Sequence, residues 1–255
     1  EETAMMNSIE GRRGNPRIKP PFPAQAGLFA LPTTINNVET LASVSHILNR
    51  GAEWYKGLCL SNPKSTGTKL ISVCGHVQRP GNYEVTMGTP MKDLIFDMCG
   101  GMKPGRTLKA VIPGGSSVPI MTAAETEDCL LDYEGVVARG SMLGSAGMIV
   151  MDDSTDMVYQ IWRLARFYAH ESCAQCTQCR EGTAWTTKIL ERILAGKGKA
   201  ADLDLLLSLS ENMTGKTICV LSDSCAAPIV SGIAKFRSEF DPYLSAARQP
   251  ALAMA

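Results

Sequence analysis

Glu171-Ser-Cys-Ala-Gln-Cys-Thr-Gln-Cys-Arg-Glu-Gly182 places Cys173, Cys176 and Cys179 three residues apart, and Cys219 follows forty residues downstream. One compact Cys-x-x-Cys-x-x-Cys turn can reach three corners of a cubane iron–sulfur cluster, while the fourth thiolate has to come from elsewhere. The layout therefore points to [4Fe–4S] and to a chain that carries electrons. Four thiolates also satisfy tetrahedral zinc, although zinc sites usually pair two Cys hairpins, so a zinc site stays open as the rival reading. Residues three apart spread around an α-helix but share one side of a 3₁₀-like turn, which predicts the triplet in a turn between helices.

The pattern on either side of the triplet is helical. Met157, Ile161, Leu164, Ala165 and Tyr168 form one stripe, and Trp185, Ile189, Ile193 and Leu194 a second. Leu203, Leu206, Leu207 and Leu209 form a third, and Ile229, Ile233 and Phe236 a fourth. Four amphipathic helices with short links predict a bundle, with Cys219 just before its last helix. Upstream the period changes to two. Lys69 to Val77 and Tyr83 to Met87 read as strands around an Arg79-Pro-Gly-Asn turn, Met91 to Cys99 as a helix stopped by Gly100-Gly101, and Leu108 to Ile112 and Met148 to Met151 as further strands. Gly-rich turns stand at Gly114-Gly115 and Gly144 to Gly147. Two strands, a helix and two more strands predict a small ubiquitin-like β-grasp. Residues 1 to about 60 read as loops around a helix whose apolar positions Val38, Leu41, Val44, Ile47 and Leu48 repeat at helical spacing, with Asn37 or Thr40 as its cap. That helix is expected to belong to a domain otherwise missing from the chain.

With 45% hydrophobic and 20% charged residues over 255 positions, composition excludes disorder and collagen. Lys plus Arg equals Asp plus Glu at 25 each, so no net field recruits nucleic acid or an anionic bilayer. No apolar run reaches the roughly 18 residues of a membrane span, and membrane association is expected only through a partner. The opening Glu-Glu-Thr-Ala-Met-Met has no initiator methionine and no signal segment, and it reads as the interior of a longer protein. Nine cysteines, an odd number without an export signal, argue for a reducing compartment where thiols serve a metal.

Other features carry weaker signals. Arg180 could place a positive charge near an anionic cluster or pair with Glu171 or Glu181. Cys59, Cys74, Cys99, Cys129 and Cys225 read as buried small hydrophobes, of which only Cys225 is close enough in sequence to compete as a ligand. His46, His76 and His170 are scattered, and Gly114-Gly115-Ser116-Ser117 lacks the Lys-Ser/Thr of a phosphate loop. Thr33-Thr-Ile-Asn-Asn-Val-Glu-Thr40 offers two amides at a helix start, which suits either a phosphate-attracting polar pocket or an elaborate turn.

Taken in order, Glu1-Glu-Thr-Ala, Asn7-Ser-Ile-Glu-Gly-Arg-Arg-Gly14, Pro20-Pro-Phe-Pro-Ala24, Pro32-Thr-Thr-Ile-Asn-Asn-Val-Glu-Thr-Leu41, Gly75-His-Val, Pro80-Gly-Asn-Tyr-Glu-Val85, Pro113-Gly-Gly-Ser-Ser-Val-Pro119, the cysteine triplet with Arg180-Glu-Gly-Thr183, and Lys216-Thr-Ile-Cys219 closely resemble the flavin subunit of respiratory NADH:quinone oxidoreductase. The likeness runs from Glu1 to about Tyr243. It implies an α+β multidomain chain: the remnant of an α/β FMN domain over 1–62, a soluble-ligand-binding β-grasp (SLBB) over 68–152, a four-helix iron–sulfur domain over 154–245 and a flexible tail over 246–255.

What the resemblance implies chemically is hydride transfer from NADH to FMN, then single electrons to a [4Fe–4S] cluster on Cys173, Cys176, Cys179 and Cys219. By motif match, Glu1 and Glu2 fall beside the flavin and nucleotide, Asn36, Asn37 and Thr40 at FMN phosphate and ribityl, and Phe22 where adenine stacks. No side chain need act as a general base, since hydride transfer depends on holding nicotinamide against flavin. Implied partners are a thioredoxin-like [2Fe–2S] subunit and a large multi-cluster iron–sulfur subunit, with the assembly peripheral on the cytoplasmic or matrix face of an energy-transducing membrane. The family's glycine-rich flavin loop lies upstream of Glu1, so the chain alone is expected not to oxidise NADH. Ala174 and Gln178 stand where glycine and proline are common, and Ser222 and Cys225 replace small residues. The diaphorase subunit of an NAD-linked hydrogenase or formate dehydrogenase shares the same module, and a scaffold with structural zinc is the alternative from another class.

Overall fold

The structure is a computed structural model that describes residues 1–60 and 64–244, so the expected tail at 246–255 lies outside the described residues. Prolines and, between the last two, Gly51 at φ +90° divide the first sixty residues into helices: α1 (Glu2–Ile9), α2 (Pro23–Ala26), α3 (Val38–Arg50) and α4 (Ala52–Lys56). Helix α3 forms where the spacing predicts it, and Asn37 caps it by accepting the Thr40 N–H at 3.0 Å. Its apolar stripe is exposed, with Val38 81% and Leu48 80% accessible, so packing does not hold it. The polar face does. Glu39 accepts from Lys69 Nζ at 2.5 Å and from the Leu70 N–H at 3.0 Å, which ties α3 to the first strand of the sheet.

The strands are β1 (Thr68–Gly75), β2 (Gly81–Thr86), β3 (Thr89–Pro90), β4 (Leu108–Ile112), β5 (Met121–Thr122), β6 (Leu130–Leu131) and β7 (Gly147–Asp152). Five of them form a sheet in the order β2-β1-β7-β4-β5, with β1 and β7 parallel and the other pairs antiparallel; β3 and β6 pair separately. Alternation along β1 sends Ile71 and Val73 into a core with Leu94, Ile95 and Met148. The expected helix forms over residues 91–98, its Asp93–Met98 part wound as a π-helix, and it stops at Gly100 and Gly101, both with positive φ. Between β4 and β7 the sequence reading saw only turns. The structure adds β5, β6, α5 (Ala123–Thr126) and α6 (Tyr133–Ala138), each too short to show a period and held by caps at Thr122 and Asp132.

The bundle comprises α7 (Met157–Glu171), α8 (Thr177–Arg192), α9 (Ala200–Met213) and α10 (Leu221–Phe236). Three stripes face inward as the spacing predicts, through Ile161 and Ala165, Leu203 and Leu206, and Ile229 and Ile233. On α8 the expectation fails for Trp185, which is 51% exposed. The buried face keeps Ile189 and adds Leu190, and in place of Trp185 it runs through the small residues Gly182, Thr183 and Thr186, which admit close neighbours: a Cβ on Gly182 would lie 2.4 Å from Met213 Sδ. Sheet and bundle share one core, because Ala110, Ile112, Val118 and Ile120 pack with Ile161 and Ile229. Lys109 to Glu239 and Lys235 to Glu125, each at 2.8 Å, and Ile120 N–H donating to Ser231 Oγ at 2.9 Å fasten the same junction.

An ion pair between buried Asp202 and exposed Arg192 anchors α9. Asp202 accepts from Arg192 Nη2 at 2.5 Å, Nε at 3.2 Å and the Lys199 N–H at 2.9 Å. Burial pushes its carboxyl up, but the Arg192 and Lys199 donors outweigh that and hold it below the usual aspartate range. A depressed folded pKa means the stabilisation is full above the unfolded value, about 3.9, and is lost as pH falls through the folded value. Urea unfolding of Asp202→Asn should therefore show a loss of about 1–2 kcal/mol at pH 7 that shrinks below about pH 4; an unchanged gap across that range would contradict it.

Candidate iron–sulfur site

Helix α7 ends at Glu171, and Ser172 turns extended. Ala174 then takes a left-handed φ of +64°, which folds the chain back so that Cys176, extended, becomes the N-cap of α8. Cys179 sits in the first turn of that helix and is 7% exposed. The triplet thus straddles a loop and a helix start, a correction to the expected 3₁₀-like turn: once Cys176 caps the helix, the next three residues must wind with it. Cys219 lies two residues ahead of α10, whose N-cap is Val220.

These four thiols line one cavity of about 180 Å³, with Glu1, Ala4, Gly14 and Pro16 on its other wall. That volume is several times the roughly 30 Å³ share of one water, which suits a polynuclear group. Among the described residues, no three His, Cys, Asp or Glu side chains are grouped closely enough to hold a single metal ion. The N-termini of α8 and α10, both 16-residue helices, converge at the thiols and place free N–H groups and positive dipole ends beside negative sulfur. Ile218 N–H reaches Cys176 Sγ at 3.4 Å, and Ser172 Oγ shares a hydrogen bond with Cys179 Sγ at 3.3 Å. Soft donors, converging dipoles and N–H groups aimed at sulfur fit an anionic cluster.

Burial pushes the Cys179 thiol up, against the Ser172 hydrogen bond. Cys225 is fully buried in the bundle core on α10 and is not on the cavity wall; burial pushes it up to about 12. None of the nine cysteines forms a disulfide. Arg180 does both things expected of it in part: Nε pairs with Glu181 at 2.8 Å, while Nη1 donates to Ala174 O at 3.0 Å, beside the thiols.

The other sequence-derived residues divide between two places. Glu1 shares the thiol cavity, and Glu2, held below the usual carboxylate range by the Lys19 hydrogen bond at 2.6 Å, lines a neighbouring cleft with Cys219. Phe22 is 54% exposed at the start of α2. Asn36 is exposed, and Asn37 and Thr40 line a separate cleft of about 370 Å³ with Lys69 and Tyr133. The Asn37 side-chain carbonyl caps α3, so its oxygen is engaged while the residue lines that cleft. Sequence reasoning missed Arg13, whose Nη2 donates to Cys173 O at 3.1 Å. Its only signal was the Arg12-Arg13-Gly14 run, quoted above for its family likeness alone.

Comparison with known families places this geometry. Residues 69–159 match the SLBB domain and residues 159–243 the NADH-ubiquinone oxidoreductase-F iron–sulfur binding region. Fold and site thus define an SLBB protein with an F-type iron–sulfur binding region. The chain is 49% identical to an F subunit of NADH-quinone oxidoreductase in Rhizobium meliloti over 94% of its own length and 55% of that protein's. It is 49% identical to the corresponding F subunit of Streptomyces coelicolor over 96% of its length and 54% of that protein's. It is a homologue of the NADH-quinone oxidoreductase F subunit, spanning about half the length of the curated relatives it matches. Among solved structures, an NAD⁺-reducing [NiFe]-hydrogenase in its H₂-reduced state superposes with a TM-score of 0.85 at 35% identity, over 96% of this chain and 40% of that one.

Proposed function

We propose that the chain is the iron–sulfur portion of the electron-input subunit of an NADH:quinone oxidoreductase. Cys173, Cys176, Cys179 and Cys219 would hold a [4Fe–4S] cluster, and Glu1, Glu2, Phe22, Asn36, Asn37 and Thr40 would contribute to the FMN and NAD(H) sites. When bound, FMN supplies hydride acceptance and the cluster one-electron storage. The observation that carries the reading is the meeting of four thiols on one cavity between two helix N-termini. The protein's part is to hold the thiolates, direct N–H groups at sulfur and keep the site covered by Glu1, Ala4, Gly14 and Pro16. In domain terms, 1–62 belongs with the flavin and nucleotide, 68–152 is the SLBB unit and 154–245 the cluster unit. The proposed partners are a thioredoxin-like [2Fe–2S] subunit and a multi-cluster iron–sulfur subunit. Among the described residues no helix is long and apolar enough to cross a membrane; the proposed location is the cytoplasmic or matrix face of an energy-transducing membrane, reached through partner subunits.

Iron and acid-labile sulfide analysis with EPR of the reduced protein tests this. About four irons per chain with a reduced-cluster signal are expected; zinc-loaded, EPR-silent protein would establish the structural-zinc reading instead. The hydrogenase superposition favours a second reading, the diaphorase subunit of an NAD-linked hydrogenase, but identity to that chain is 35% against 49% for the quinone-linked relatives. Asn37→Ala should lower flavin content in the flavin-loaded protein and cost about 1 kcal/mol of stability through the lost cap. Asn37→Asp, which keeps the cap, separates the two effects; flavin content unchanged in both variants would count against a role at FMN.

A further inference from the structure

The loop that carries the first thiol is held at two successive carbonyls by two guanidinium groups. Arg13 Nη2 donates to Cys173 O at 3.1 Å across 160 residues of sequence, and Arg180 Nη1 donates to Ala174 O at 3.0 Å. Between those carbonyls Ala174 adopts its left-handed φ of +64°, a conformation that an alanine holds only when its surroundings impose it. The two arginines differ in charge. Arg180 is paired with Glu181, whereas among the described residues Arg13 has no carboxylate at ion-pair distance. Arg13 also stands where two cavities meet: Pro16 and Gln175 line both the thiol cavity and a larger cleft of about 1010 Å³, and Arg13 lines the larger one.

We propose that Arg13 is a positioning residue for the cluster: its guanidinium fixes the Cys173–Ala174 turn and sets a positive charge with no salt-bridge partner at the carbonyl of Cys173, raising the cluster's one-electron reduction potential against the Glu1 and Glu171 carboxylates that line the same cavity. The assignment rests on the cluster reading given above. Adding one electron makes a four-thiolate cluster more negative, so a cation hydrogen-bonded to a ligand's own carbonyl favours the reduced form. Its effect enters through the segment that also carries Glu1, Glu2 and Phe22, so the thiol loop is braced by the same stretch that leads to the proposed nucleotide site.

Potentiometric EPR titration of the cluster-loaded holoprotein tests it, comparing the unsubstituted protein with Arg13→Ala and Arg13→Gln. Glutamine removes the charge while keeping a polar N–H side chain of shorter reach at the position. Both variants should shift the reduction equilibrium about tenfold toward the oxidised form, which for a one-electron couple is about 59 mV. The shift should shrink as salt rises, because Arg13 is exposed and its charge is screened. If Arg13→Ala loses cluster, adding Ala174→Gly should restore occupancy by relieving the left-handed turn, with the potential still lowered. A potential unchanged in Arg13→Gln overturns the proposal, and so does loss of cluster from both single variants, which would leave Arg13 a purely structural brace. An unsubstituted protein that shows no cluster signal is a different result: it fails the cluster reading itself.

Discussion

Cys176→Ser should abolish the cluster's EPR signal and the bound iron while flavin stays in the assembled protein. Of the four thiols, Cys176 has the most demanding position. It is the N-cap of α8, it lies between Cys173 and Cys179 in sequence, and its Sγ accepts the Ile218 N–H at 3.4 Å, one residue from Cys219. Serine keeps the extended cap conformation, and a serine hydroxyl is a good cap in its own right, so the helix survives. What is lost is the soft ligand: a hydroxyl stays protonated at neutral pH and is a poor partner for iron in a sulfide cube. The measurements are iron content, the EPR of the reduced protein and NADH-to-quinone electron flow in the assembly. Unimpaired electron flow with the substitution in place would refute the role assigned to Cys176.

Gly114→Ala should destabilise the fold by about 3 kcal/mol, read as the shift in urea midpoint, with helix content of the bundle lost in the same transition because sheet and bundle share a core. The position carries no chemistry. It is one half of a contact between two turns: a Cβ at Gly114 would lie 2.3 Å from Met142 O and 2.6 Å from Leu143 C, and a Cβ at Gly144, itself at φ +48°, would meet Gly114 O at 2.3 Å. Every atom in the way is backbone, so no rotamer change makes room. The contact is also hydrogen-bonded, with Ser145 N–H donating to Gly114 O at 3.1 Å and Gly115 N–H to Gly147 O at 2.7 Å. Alanine at exposed Gly57 or Gly81, where φ is not positive and a Cβ would meet nothing closer than 3.4 Å, serves as the control for added methyl alone. A Gly114→Ala variant no less stable than those controls would show that the two turns do not depend on their close approach.

Most of the architecture was legible because it is periodic. Strands β1 and β2 with their turn, and the inward faces of α7, α9 and α10, follow from spacing alone, since burial of one face imposes a period of 2 or 3.6 on any chain that folds that way. Trp185 breaks this rule. A large apolar residue outweighed its neighbours in the reading of α8, but the close approach of α9 selects the glycine and threonine face and leaves the indole outside. The short elements between β4 and β7 failed for another reason: four to six residues cannot display a period, and caps rather than hydrophobic pattern define them.

At the site the division is sharper. From sequence alone came the identity of the thiols, the three-residue spacing that favoured a cube over a single ion, and the likeness of the chain from Glu1 to about Tyr243 to a family of flavin subunits, because ligand type and local spacing are written in adjacent residues. Tertiary structure decided that Cys219 joins the triplet on one cavity, that two helix N-termini point there, and that Arg13 grips the carbonyl of Cys173 from 160 residues away. Those facts depend on how long segments cross, which is settled by the packing of a shared core and by loop paths that no local pattern records.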